Sequence, residues 1–193
     1  ALLPDGDLFE GIRSGKASVV TDQIDTFTET GIALQSGEAL EADVIITATG
    51  FDLAVLGDIA FSVDGLALDP TDCVTYRGLM FTGVPNLAYV FGYFRYSWTL
   101  RVDLLSDFVC RLLRHMDERD ASMVVPRLGE AEADMGLLPW VDPENFNPGY
   151  LTRSMHLMPK QGDRAPWQLP HDYMVEKEEL PAADLDDGAL RYG

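Results

Sequence analysis

Apolar residues recur at three- and four-residue steps between Ser97 and about Met116. Trp98, Val102, Leu105, Val109, Leu112 and Met116 therefore share one face of a predicted helix, and Leu104 and Phe108 widen that face until the helix is largely enclosed. Ser97 suits its N-cap. Upstream, the runs 17–20, 26–34 and 42–47 read as strands, with Glu29-Thr30-Gly31 inside the second and Ser36-Gly37 as a turn before the third. Val44-Ile45-Ile46 is β-branched throughout and apolar on both faces, which suits a parallel strand buried on both sides. Residues 86–92 read as a second buried strand ending on Gly92. A short helix through Leu8 and Ile12, capped by Asp5 or Asp7 and stopped by Gly15, is predicted near the start.

Other stretches lack a period. Residues 51–85 are punctuated by Gly57, Gly65, Pro70, Gly78, Gly83 and Pro85 and are predicted to be irregular. Beyond about Asp120, prolines from Pro126 to Pro170 forbid long regular elements, yet Trp140, Phe146, Tyr150, Trp167 and Tyr173 stand among them. Aromatics among prolines predict an ordered tail wrapped over a larger body. The mostly acidic stretch 176–187 is predicted to be solvated.

Composition narrows the function classes. The chain has 193 residues, 47% of them hydrophobic and 24% charged, a globular recipe. Thirty-two acids against 14 bases give a net charge of -18, which argues against nucleic acid and against an anionic membrane surface as partners. Cys73 and Cys110 match no metal or dithiol spacing, and no run approaches the roughly 18 apolar residues of a membrane-spanning helix. The expected location is the cytoplasm, without an integral membrane segment. The chain opens on Ala1, which reads as part of something longer.

The most informative segment runs from Glu41 through Val44-Ile45-Ile46-Thr47 to Ala48-Thr49-Gly50-Phe51. Small residues where a strand leaves its sheet let a bulky ligand or another backbone approach, and such crevices hold nucleotides in doubly wound folds; a tight turn would serve equally. The segment resembles the Ala-Thr-Gly linker of two-dinucleotide flavoproteins. Arg13-Ser14-Gly15-Lys16-Ala17, Phe27-Thr28-Glu29-Thr30-Gly31, Gly83-Val84-Pro85-Asn86-Leu87, Ser97-Trp98-Thr99-Leu100 and Phe108-Val109-Cys110-Arg111 extend the match. Together they resemble bacterial flavin-dependent monooxygenases of the Baeyer–Villiger type. Pro148-Gly149-Tyr150, Arg153-Ser154 and Pro159-Lys160-Gln161-Gly162 are similar to the ethionamide-activating branch. The resemblance covers nearly all of this chain and only the C-terminal part of a complete enzyme.

That resemblance implies an α/β fold: the C-terminal part of a Rossmann-like flavoprotein with two dinucleotide-binding domains, plus a Pro-rich irregular extension. Residues 1–47 would end the NADPH-binding domain, 48–120 would complete the FAD-binding domain, and 121–193 would form an extension near the substrate pocket. The implied cofactors are FAD and NADPH, and the implied reaction inserts an oxygen atom from O2 into a ketone or oxidises a sulfide. Cofactor contacts are implied for Ala48, Thr49, Gly50 and Phe51 at the crossing, and for Gly92, Ser97, Trp98 and Thr99 where a helix start faces the flavin. There, exposed amides and the positive dipole end would favour the negative charge of reduced flavin. The implied partners are the missing N-terminal part of the same enzyme and a small-molecule ketone or sulfide.

No Gly-x-Gly-x-x-Gly turn occurs among the 193 residues, so the chain alone is expected to be inactive. The Phe-x-Gly-x-x-x-His fingerprint is also absent, since Gly15 stands where Phe9 and Gly11 would require histidine. A disulfide-reductase-like or N-hydroxylating flavoprotein, or a non-catalytic interaction module, are the alternatives. No catalytic residue and no metal site is assigned. Arg95 is expected to pack on Tyr93 or Tyr96, or to neutralise a cofactor phosphate. Cys110 is expected to be buried, His115 to sit near a helix C-terminus, and Asp103 and Asp107 to form a salt-bridged face with Arg111 and Arg114.

Overall fold

The computed structural model of the chain describes residues 4–50, 52–144 and 146–193. They form a mixed α/β fold in two compact units, residues 1–49 and 50–193. In the first unit, helix α1 (Asp7–Arg13) starts from Gly6 in the left-handed conformation (φ 71°), so glycine holds the cap position predicted for an aspartate. Strands β1 (Ile24–Thr28), β2 (Gly31–Leu34) and β3 (Ala39–Glu41) form an antiparallel sheet in that order. The run 26–34 is thus a hairpin whose two-residue turn is Glu29-Thr30, with Thr28 opposite Gly31. A Cβ on Gly31 would lie 1.9 Å from the Leu40 carbonyl oxygen, so only glycine lets β3 approach there. Ser36-Gly37 makes the expected turn, the Gly37 amide donating to the Leu34 carbonyl at 3.0 Å.

Two strands expected in this unit do not form. Residues 17–20 and 42–47 are irregular, and Val44 and Ile46 are 76% and 85% exposed. A strand apolar on both faces needs neighbours along its edges and cover on both faces. The described residues of this unit offer only a small antiparallel sheet, to which 42–47 adds no strand.

The second unit is built around the predicted long helix. Its elements are β4 (Ser62–Val63), β5 (Leu66–Ala67), β6 (Thr75–Tyr76), β7 (Met80–Phe81), α2 (Trp98–Glu118), β8 (Val124–Pro126), β9 (Leu137–Pro139), α3 (Gly149–Ser154), β10 (Lys160–Gly162), α4 (Tyr173–Glu179) and β11 (Leu190–Tyr192). The strands pair as β4–β5, β6–β7, β8–β11 and β9–β10, each antiparallel. Among the described residues the only parallel pairing is the isolated bridge between Val74 and Lys160. Residues 86–92 form no strand, although Phe91 is buried and Leu87 and Tyr89 are half-buried, with Ala88 and Val90 exposed between them. The alternation is that of an extended segment without a ladder.

Helix α2 buries Arg101, Leu105, Phe108, Leu112 and Met116. Its apolar residues pack on Tyr76, Leu79, Met80, Val124, Trp167, Leu180 and Leu190. Each such side chain contributes on the order of 1.5–3 kcal/mol, so α2 ties the middle of the chain to its end. Residues 121–193, expected to be an irregular extension, carry β8 to β11, α3 and α4; Trp140 and Trp167 are fully buried, and β11 pairs with β8. Two further expectations need correction. The acidic stretch is not simply solvated, because Glu176, Leu180, Ala183 and Leu185 are buried. Cys110 is exposed and Cys73 is the buried thiol, pushed up to about 11 mainly by burial. The helical face rotates past Cys110 between Phe108 and Leu112, which face the core.

Candidate functional site

Helix α2 begins where the buried segment at Phe91-Gly92-Tyr93 turns outward through 94–96. Ser97 is the N-cap residue as predicted, with extended backbone (φ -61°, ψ 136°). Its hydroxyl makes no cap hydrogen bond and pairs instead with the Thr99 hydroxyl at 2.8 Å. The first-turn amides therefore carry no side-chain cap. The first turn of this 21-residue helix also holds no acidic residue of its own, in a chain with 32 of them.

Gly92 does permit a close approach, and the group that approaches is Trp98. A Cβ at Gly92 would stand 2.4 Å from Cγ and Cδ2 of the Trp98 indole. The indole also lies against Phe91, with ring centroids 4.9 Å apart, and remains 51% exposed.

A cavity of about 390 Å³ opens beside this helix start. It is lined by Phe94, Arg95 and Tyr96 together with Pro139, Val141, Phe146, Leu169 and His171, and by the carboxylates of Asp142 and Asp172. Phe94 and Phe146 stack at 4.2 Å and 20°, and the His171 ring lies 4.6 Å from Phe94. Gln161 fixes the far side: its amide nitrogen donates to the Pro139 and Trp140 carbonyls, and its amide oxygen accepts from the Leu169 amide at 2.7 Å. Both imidazole nitrogens of His171 are sealed from solvent and have no hydrogen-bond partner among the described residues. Burial pushes this histidine from 6.5 down to about 3, with the Arg101 charge adding to the effect, so the ring is neutral at neutral pH.

Behind the cavity lies a buried ion pair. Arg101, fully enclosed on α2, meets Glu176 on α4 at 3.0 Å. Asp172, directly after His171, caps α4 by accepting from the Met174 amide at 2.8 Å.

The predicted contact residues divide between the two units. Ala48 and Thr49 close the first unit, both exposed, and Gly50 opens the second with φ 86°. Phe51 lies outside the described residues. Gly92, Ser97, Trp98 and Thr99 are brought together at the start of α2. Arg95 lines the cavity. His115 stands in the last turn of α2 and pairs with Asp186 at 3.2 Å. Arg111 does not serve Asp107; it donates to the Leu180 and Ala183 carbonyls, both at 2.8 Å. His171, Gln161, Arg101 and Glu176 went unrecognised in the sequence. Only the Gln161 segment carried a signal, through its resemblance to the family.

In comparison, the chain is similar in sequence to FAD-containing monooxygenases and corresponds to the C-terminal portion of their sequence. It is 47% identical over 191 residues to the FAD-containing monooxygenase EthA of Mycolicibacterium smegmatis, covering 99% of this chain and 38% of that protein. EthA of Mycobacterium tuberculosis is 46% identical over 192 residues, with the same coverage. The "Probable FAD-binding monooxygenase AlmA" of Acinetobacter baylyi is 43% identical over 191 residues, again 99% and 38%. The chain thus spans 38% of the length of these relatives. No family model and no solved structure matches it.

Proposed function

We propose that this chain supplies the flavin-facing helix start and the substrate-side wall of a Baeyer–Villiger-type monooxygenase that uses FAD, NADPH and O2. The observation that carries the reading is the uncapped, acid-free first turn of α2 opening beside a 390 Å³ cavity, in a chain whose relatives are FAD-containing. Bound FAD would relay two electrons from NADPH so that one atom of O2 enters a ketone or sulfide and the other leaves as water. The amides of Trp98 and Thr99 would steady negative charge on the flavin ring, and the exposed Trp98 indole would pack against it. Phe94, Phe146 and Leu169 would hold substrate and exclude water. His171, neutral and enclosed, would add no charge to that space.

In the same reading, residues 1–47 finish a Rossmann-like NADPH-binding domain, Ala48, Thr49, Gly50 and Phe51 form the crossing, 48–120 complete the FAD-binding domain, and 121–193 flank the substrate. The apolar faces of Val44 and Ile46, exposed in this chain, would be covered by neighbouring strands in the complete flavoprotein. Glycine-rich pyrophosphate turns do not occur among these residues, so flavin binding and turnover require the segment that carries them.

A chimera tests this directly. The corresponding stretch of the Mycolicibacterium smegmatis relative is replaced by these 193 residues, and flavin content, NADPH oxidation and ester formation from a cyclic ketone are measured. The expected chimera is yellow, consumes NADPH in a ketone-stimulated reaction and yields the ester. A folded chimera without flavin contradicts the flavin-facing helix; a flavin-loaded one that yields no ester or sulfoxide contradicts the substrate wall.

A further inference from the structure

A fully buried guanidinium is an expensive way to hold a core together. Desolvating an ion pair costs as much as its attraction returns, and apolar residues of similar volume commonly serve stability as well or better. The Arg101–Glu176 pair therefore calls for a reason other than stability. Its hydrogen bonds supply one. Nε donates to both Glu176 carboxylate oxygens at 3.2 Å, and Nη2 to Oε1 at 3.0 Å. Nη1 donates to the Phe91 carbonyl at 2.7 Å, and Nη2 also reaches the Arg77 carbonyl at 3.1 Å. A single rigid fork thus reads the β6–β7 turn, the segment entering α2, α2 itself and α4.

The surrounding backbone is shaped to admit it. Gly78 sits at φ 62°, and a Cβ there would stand 3.0 Å from Arg101 Nη2 and 2.6 Å from Leu169 Cδ1. Leu169 and His171 belong to the cavity wall, and α4 follows that wall directly. Phe91, whose carbonyl the fork holds, abuts Trp98, Trp140 and His171 with its ring.

We infer that Arg101 and Glu176 are a positioning pair, setting the register of the Leu169–Asp172 wall against the Phe91-Gly92 entry to α2. The seating of the wall stands on these contacts alone; its importance to a flavin reaction rests on the function proposed above. A lysine would keep the charge but lacks the planar fork that meets two carbonyls and a carboxylate together.

The test uses the 193-residue chain and the double substitution Arg101→Met/Glu176→Leu, since removing Arg101 alone strands a buried carboxylate and strongly destabilises the fold. Two readouts are taken: the thermal midpoint, and the NMR shifts of the His171 ring protons, which Phe94, Phe91 and Trp140 displace through their ring currents. The expected double variant melts cooperatively near the parent temperature, while the His171 resonances lose their displacement and broaden. Arg101→Lys is expected to show the same loss. Unchanged His171 resonances in either folded variant would overturn the inference, as would a double variant that fails to fold, which would make the pair a stability element. Neither readout involves flavin, so a failure here is separate from a failure of the chimera.

Discussion

At the scale of single residues, His171 is the side chain whose environment departs furthest from its chemistry. It stands at φ 54° after Pro170, walled by Phe91, Phe94 and Trp140, with neither nitrogen bonded among the described residues. Its depressed proton affinity, about 3 against 6.5, has a consequence with a definite sign. Between those values the unfolded chain binds a proton that the folded chain refuses, so stability rises with pH across the interval. The contribution is fully present above about 6.5 and is lost as pH falls toward 3. His171→Phe removes the titrating group while keeping a ring of similar size. Denaturant unfolding from pH 7 to 4 should show a shallower loss of stability in this variant than in the parent. Equal slopes would mean that the ring is accessible or paired.

At the scale of elements, α2 was legible in the sequence because apolar residues recur along one face, and Leu105, Phe108, Leu112 and Met116 do face the core; the helix is not largely enclosed as expected, since Trp98 and Leu113 are exposed and Val102 and Val109 only half-buried. Arg101 shares that face and was invisible, since pattern reading assigns a charged residue to solvent; only the three-dimensional placement of Glu176 and two carbonyls shows why it is inside. Residues 42–47 show the converse. Their apolar character on both faces speaks of two-sided cover, and the described residues of the first unit do not supply it, so the strand does not form. Gly92 lay between these cases: the close approach was legible, the approaching group was not. That contact gives an element-level prediction. Gly92→Ala drives a methyl into the Trp98 ring and should cost about 1–3 kcal/mol, displacing the start of α2. Gly92→Ala/Trp98→Ala should cost less than the two single substitutions summed, because the clash has gone. Strict additivity in chemical denaturation would show that the indole does not occupy that space.

At the scale of the molecule, the cavity is the feature least accessible to sequence reading. Its walls come from 94–96 and from residues between 138 and 172, brought together by packing around α2 and not by any local motif. The tail was legible as ordered because Trp140 and Trp167 would otherwise be exposed among prolines; its path was not, because it is set by short pairings such as β8 with β11 and β9 with β10. Relatives named as FAD-containing monooxygenases share 40–47% identity over almost the whole chain and extend well beyond it.

The central claim, that the α2 amino end faces the flavin ring, is tested most directly by the flavin midpoint potential of the FAD-loaded chimera and its Thr99→Asp variant. Thr99 lies exposed in a first turn that holds no acid. A carboxylate placed there opposes the negative charge that reduction brings to the flavin. At about 0.5–1 kcal/mol for a charge at a helix terminus, the two-electron potential should fall by roughly 10–20 mV, and more at low ionic strength. An unchanged potential, with FAD still bound and α2 intact by circular dichroism, would place the flavin elsewhere and contradict the account.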